Sequence, residues 1–342
     1  MIEAYAAGAR ALVLLSGAYL VGTPLFLLRA GTTDVPAPHH WRSRLFRLFP
    51  VAALGLLLAL LALLHAQACG VAGAWAGLEL TRDVASHTAF GRIALVRLAL
   101  AALLIPVSLW CAARALAAPS FTALAQMLLA VAIVGAGPLS GHASGTEAAA
   151  VLVPLHVAHV LALSAWIGGL PAWITLAWTL QRAAEEPTRE FAAHAMERFS
   201  RFALPCMALI IGTGSVIAWE FVDDQGDLLG TRYGRLLCFK ALLLIAVLAI
   251  ANQVRTRWLP RLRTADGEAA HADGVRRVVG EALLAAVVLA LGAALAQTTP
   301  AIHDQPHWWL PWRLSFDASA EVPGSRIALL VGAGLIVAAA WW

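Results

Sequence analysis

The sequence predicts an all-α polytopic membrane protein, a bundle of eight or nine transmembrane helices with its N-terminus outside. Three observations predict it. Hydrophobic residues make up 61% of the 342 and charged residues 13%, where a soluble domain runs nearer half and a quarter. Apolar segments of about 20 residues, the length a bilayer requires, follow one another along the chain. The cationic residues gather in alternate connections.

The spans are read at 5–28, 45–68, 91–113, 120–138, 151–180, 202–222, 234–256, 278–298 and 325–342. The first is span-length and has neither a basic leader nor a small-residue cleavage site, so it is expected to stay in the membrane. The fifth exceeds a simple span and is expected to tilt or project. The whole, 1–342, reads as a single membrane domain. Within it lie a four-helix N-terminal half (1–138), a core (139–300) and an external Trp/Pro-rich segment with the last span (301–342). No internal repeat is visible by eye.

Orientation follows from arginine. There are 23 arginines and one lysine, Lys240, and 15 of the arginines lie in the connections after spans one, three, five and seven. By the positive-inside rule those connections are cytoplasmic. The opposite ones hold Asp223, Asp224 and Asp227, or His303, His307, Trp308, Trp309 and Trp312. Those tryptophans suit an aromatic belt in the lipid headgroups. The net charge of +4 therefore reads as topology, and no nucleic-acid partner is expected. The four cysteines have no C-x-x-C spacing and three sit inside apolar runs, so neither a disulfide framework nor a zinc site is expected.

Ionisable groups inside spans are costly, about 2.5–3.5 kcal/mol for a lipid-facing Arg or Lys, so each is a functional candidate. Arg10, His65, Arg97, His156, His159 and Lys240 all fall in the outer halves of their spans, and Glu281 lies near the cytoplasmic end of its own. The asymmetry predicts a polar cavity open to the outside. His156 and His159 are three apart, on one helical face, with His142 on the Gly/Ser-rich stretch 138–148 just upstream. Neutral imidazoles in that pattern can share a metal ion such as copper, or they can simply hydrogen-bond between helices. Met127, Cys206 and Met207 offer softer ligands further in, although sulfur side chains are also ordinary core residues.

The cations Arg10, Arg97 and Lys240 would repel a metal unless Glu79, Glu220 or Asp223 neutralised them. Alternatively they hold an anion, such as a quinone headgroup or haem propionates. A b-type haem between His65 and His159 is then the competing reading. No Met-x-x-Met cluster, Cys-Pro-Cys, Walker A loop or Asp-Lys-Thr-Gly occurs. The chain is expected not to be an enzyme, and its energy to come from gradients or partners.

The run His159-Val-Leu-Ala-Leu-Ser-Ala-Trp166-Ile-Gly168-Gly169 resembles the H-x6-W-x-G-G signature of the copper resistance D family of inner-membrane proteins. Ser-Gly-His142-Ala, Arg198-Phe-Ser-Arg-Phe-Ala, Gly212-Thr-Gly214, Tyr233-Gly-Arg235-Leu-Leu-Cys-Phe-Lys240 and Asn252-Gln-Val-Arg are similar to further stretches of that family. The likeness is strongest over 135–300. It implies copper-ion transport across the bacterial cytoplasmic membrane, usually inward, in partnership with a periplasmic copper-binding protein. The matching positions are His142, His159, Trp166, Gly168, Gly169, Tyr233 and Lys240. A non-transporting assembly factor for a copper enzyme stays open as a third class, and so does oligomerisation. Independently of the likeness, Gly168-Gly169 would let a neighbouring helix approach closely, and Pro171 would bend the helix there.

Overall fold

The computed structural model describes residues 1–30, 37–114, 119–182, 186–263, 267–307 and 331. The described elements are helices: α1 (Ile2–Ala30), α2 (His39–Ala72), α3 (Leu78–His87), α4 (Ala89–Ala113), α5 (Pro119–Gly135), α6 (Ala149–Ile167), α7 (Leu170–Arg182), α8 (Glu186–Glu220), α9 (Gln225–Gly230), α10 (Arg232–Gln253) and α11 (Gly267–Leu295). Short 3₁₀ turns punctuate them, and α10 runs on through a π-helical turn at Val254–Trp258. Among the described residues eight helical stretches are long and apolar enough to cross a membrane. The expected ninth span, 325–342, and Trp308, Trp309 and Trp312 lie outside the described residues.

The helix α1 organises the bundle, packing against α2, α5, α6, α8 and α11. One core joins α1, α2, α4 and α5 through Leu20, Phe46, Phe49, Leu56 and Leu104. The other joins α6, α7, α8 and α11 with Phe26 and Trp41. Leu58, Leu103, Leu128, Leu242 and Leu283 remain exposed on the bundle surface, as helices surrounded by acyl chains require.

The long fifth span is broken rather than merely tilted. It ends as α6 at Ile167 and restarts as α7 at Leu170, across Gly168-Gly169. A Cβ on Gly168 would collide with the Ala18 carbonyl oxygen, and one on Gly22 with the Gly168 backbone. Only glycines allow α1 and α6 to cross so closely. The break frees the Gly168 carbonyl from helical bonding, and the buried Thr23 hydroxyl of α1 donates to it at 2.7 Å.

The connections that the arginine count assigns to the outside meet at one end of the bundle. The Ile302 amide donates to the Phe221 carbonyl and the His307 amide to that of Gly230, each at 3.3 Å. Two short helices there, α3 and α9, were not expected from the sequence. Each feeds a span in the same manner. Thr88 and Thr231 cap α4 and α10 by accepting from the amides of Gly91 (2.9 Å) and Gly234 (3.0 Å). A Cβ on either glycine would strike the carbonyls of the preceding short helix.

This likeness extends along the sequence to matches that do not stand out by eye. Thr88-Ala-Phe-Gly-Arg with Arg97 in α4 matches Thr231-Arg-Tyr-Gly-Arg with Lys240 in α10. Gln126-x-Leu-Leu-Ala with Gly137 after α5 matches Glu281-x-Leu-Leu-Ala with Gly292 in α11, at equal spacing. Arg44, Arg47 and Pro50 in α2 resemble Arg198, Arg201 and Pro205 in α8. The third and fourth spans thus share matched positions with the seventh and eighth, which divides the eight spans into two sets of four.

Candidate metal-binding cavity

A cavity of about 180 Å³ opens between the two sets, with room for about six waters at roughly 30 Å³ each. Among its lining residues are Arg10, Arg97, His142, His156, His159, Tyr233 and Lys240. Seven polar groups taken from four spans and one loop therefore face one space; of the six groups that share a depth, all but His65 are among them. Pro138, Ser140, Gly141 and Pro300 line it from the external connections.

His159 is held with care. Its Nδ1 stands 3.0 Å from Thr213 Oγ1 on α8. The single hydroxyl proton of Thr213 goes to the Leu209 carbonyl at 2.5 Å. With that proton given to Leu209, Oγ1 is the acceptor for His159 Nδ1–H, the tautomer whose Nε2 keeps its lone pair; the Ile210 backbone is a further hydrogen-bond partner of the ring. Gly214 leaves the space for the ring, because a Cβ there would stand 3.1 Å from His159 Cε1. One turn earlier on α6, the Nδ1 of His156 is buried without a hydrogen-bond partner. The two rings lie edge to face with centroids 6.5 Å apart. Two metal–nitrogen bonds of about 2.0–2.1 Å and the two ring radii span about 6 Å, a separation comparable with that of the two rings.

His142 sits at the mouth, on the 3₁₀ turn His142–Gly145. Partial burial and the Arg10 guanidinium, with a smaller push from His303, hold its pKa below the ordinary 6.5. A hydrogen bond to the Ala296 backbone acts the other way. These effects favour the neutral ring, the form able to donate a lone pair. All three histidines line the cavity, but among the described residues no group of three or more His, Cys, Asp or Glu side chains is placed to hold a metal ion. The arrangement is a pair with a third ring at the rim.

The other candidates lie elsewhere. His65 packs with Tyr5 and Trp75 and does not line the cavity. Its Nε2 is 3.1 Å from the Ala76 carbonyl and its Nδ1 3.3 Å from the Tyr5 hydroxyl. A carbonyl only accepts, so Nε2 carries the proton and both nitrogens are engaged. His65 and His159 therefore do not form a facing haem-ligand pair. Met127 is absent from the lining, and Cys206 is buried in the core of α6, α7, α8 and α11. Met207 lines a second void of about 20 Å³ with Trp166, Trp173, Phe199, Arg255 and Glu281. The two spaces share no lining residue. They are parted by one turn of α6, between Leu163 on the outer side and Trp166 on the inner. The expected path from outer nitrogen to inner sulfur is not continuous as one cavity across that turn.

Trp166 is buried and hydrogen-bonds to the Glu281 carboxyl, whose Oε2 has no partner. Lys240 reaches the cavity opposite Gly292, where a Cβ would stand 3.5 Å from its Nζ. None of Glu79, Glu220 and Asp223 lines the cavity to balance it.

Comparison with known proteins follows this geometry. The family model described as copper resistance protein D matches residues 193–295, and that of the copper resistance protein D-like N-terminal domain matches residues 1–152. The chain belongs to the copper resistance D family. As a family member with eight apolar helices it is a multi-pass protein of the bacterial inner membrane. A curated relative, the copper transport protein CutJ of Bacillus subtilis (strain 168), is 27% identical over 213 residues. That stretch is 61% of this chain and 38% of the relative, so the chain spans under half of the relative's length. No solved structure matches. The His156, His159 and Trp166-Ile-Gly-Gly run falls between the two family-matched segments.

Sequence reasoning passed over Thr213, Gly137 and Gly292. Thr213 lay inside the quoted Gly212-Thr-Gly214, and its place one turn above Leu209 was the available signal. The glycines carry no local signal, since their role depends on which cation lies across from them.

Proposed function

We propose that this chain carries copper across the cytoplasmic membrane, taking the ion from outside at the cavity and passing it inward. His156 and His159 are its ligands there, and His142 is the receiving group at the mouth. The observation that carries this reading is the pinned tautomer of His159. Thr213 and Leu209 together leave His159 Nε2 with a free lone pair beside the unpartnered Nδ1 of His156. Two imidazoles one turn apart on one helical face suit copper, for which nitrogen ligands are apt. The inward direction is supported by a cavity lined from the external connections and separate from the void below Leu163. A periplasmic copper-binding protein is the donor we assign to it, docking at the end where His142 stands exposed.

The test is copper per protein, by elemental analysis, for the purified wild type and the His156→Ala/His159→Ala variant, with cellular copper accumulation in parallel. Bound copper and uptake that are both lost in the variant support the reading. Copper retained by the variant overturns the assignment of the ligands. A Soret band in the wild type would replace copper by haem.

A further inference from the structure

The cavity is lined by three basic side chains and no carboxylate. Arg10, Arg97 and Lys240 line it, and no Asp or Glu does. The ion pair between Arg232 and Glu3 lies at the surface, away from the cavity lining. Arg97 is 6% exposed, and its Nε donates to the Ile133 carbonyl at 2.9 Å. The Nε of Arg10 is buried with no partner. A charge in a membrane interior pairs with an opposite charge or meets water. Here water alone would leave three like charges around one small space.

The two halves supply this charge in the same way. Arg97 stands nine residues after the capping Thr88, and Lys240 nine after Thr231. Each faces a glycine of the following span in its own half. A Cβ on Gly137 would stand 3.5 Å from Arg97 Nη2, and one on Gly292 the same distance from Lys240 Nζ. Gly137 and Gly292 are themselves matched positions. The aromatic rings two residues after the threonines, Phe90 and Tyr233, line the cavity too. Equivalent basic residues thus line one cavity from the two halves of the chain, the kind of place where parallel-repeat transporters hold their substrates. Rings of Arg and Lys are how membrane proteins select anions.

We propose that this cavity binds a small monovalent anion, a halide or a short carboxylate, between Arg97 and Lys240 with Arg10 beside them. The anion offsets the repulsion that the cations exert on a metal at His156 and His159, so copper and anion occupy the cavity together. The anion site itself rests on the charge arrangement and stands without the copper reading.

Chloride is the probe. The purified full chain in zwitterionic lipid nanodiscs, in sulfate buffer, is titrated with chloride while the ³⁵Cl line width is followed. Saturable broadening is expected, weakened at least tenfold by Lys240→Gln and restored to within about threefold by Lys240→Arg. Arg97→Gln is the parallel variant if Lys240→Gln does not fold. Acetate that displaces chloride shows that the site takes carboxylates as well, and acetate without effect confines it to halides. Broadening that never saturates, or that is equal in the wild type and a folded Gln variant, overturns the proposal. Copper is measured on the same samples. Saturable chloride with no copper sinks the copper reading alone, and copper with no saturable chloride sinks the anion site alone.

Discussion

Thr213 accepts a hydrogen bond from His159 Nδ1 at 3.0 Å while giving its own proton to Leu209. This relationship sets which nitrogen of His159 is available to a metal. Outer partners of ligand histidines are worth about 10–100-fold in metal affinity. Thr213→Val keeps the shape and removes the acceptor, so copper affinity is expected to fall by about that factor. Thr213→Ser should retain it. Competition with a cuprous chelator measures both, and equal affinities in all three proteins would show that the tautomer is not controlled here.

The crossing of α1 and α6 makes a steric prediction. Gly168→Ala drives a methyl into the Ala18 carbonyl, and overpacking of that kind costs about 1–3 kcal/mol. Gly8, also on α1, has nothing within 4 Å of an added Cβ, so Gly8→Ala should stay within about 0.5 kcal/mol of wild type. Thermal unfolding in detergent compares the two. Equal melting temperatures would mean that the helices part without cost.

The bundle was legible in the sequence because lipid imposes long apolar runs and alternating arginines, and both survive without any knowledge of contacts. The cavity was legible for a related reason. His156, Arg97 and Lys240 stand out from the apolar residues around them, and depth along a span follows from counting residues. Direction around a helix does not follow from counting. His65 and His159 share a depth, yet one packs with Tyr5 and Trp75 and the other faces Lys240 across the cavity. Cys206 and Met127 looked like further ligands for the same reason. The repeat was hidden because its matched positions are few and its connections differ in length. Thr88 and Thr231 become partners only when α3 and α9 are seen to feed α4 and α10 alike.

Trp166 and Glu281 join α6 to α11 beneath the cavity. Glu281 is 1% exposed with an unpartnered Oε2. Glu281→Gln keeps an oxygen for the Trp166 N–H and should melt close to wild type. Glu281→Leu leaves that N–H buried and unpaired, at a cost of about 1–3 kcal/mol. The drop in melting temperature of Leu relative to Gln reads the bond. A Leu variant as stable as the Gln variant would show that Trp166 finds another acceptor.

His142 gives the pH dependence. Its folded pKa lies below 6.5, through burial first and the nearby Arg10 second. The folded state therefore binds fewer protons than the unfolded state between the two pKa values. Stability from this group is fully present above about pH 6.5 and is lost as the pH falls through the lowered folded value. Copper capture at the mouth follows the same curve, since only the neutral ring donates a lone pair. Histidine-selective NMR should place the His142 midpoint below 6.5. Arg10→Gln should raise it toward 6.5 without reaching it, because burial remains. A midpoint above 6.5 in the wild type would mean that the Ala296 hydrogen bond outweighs burial and Arg10 together, and acid would then strengthen the fold at this position instead of weakening it.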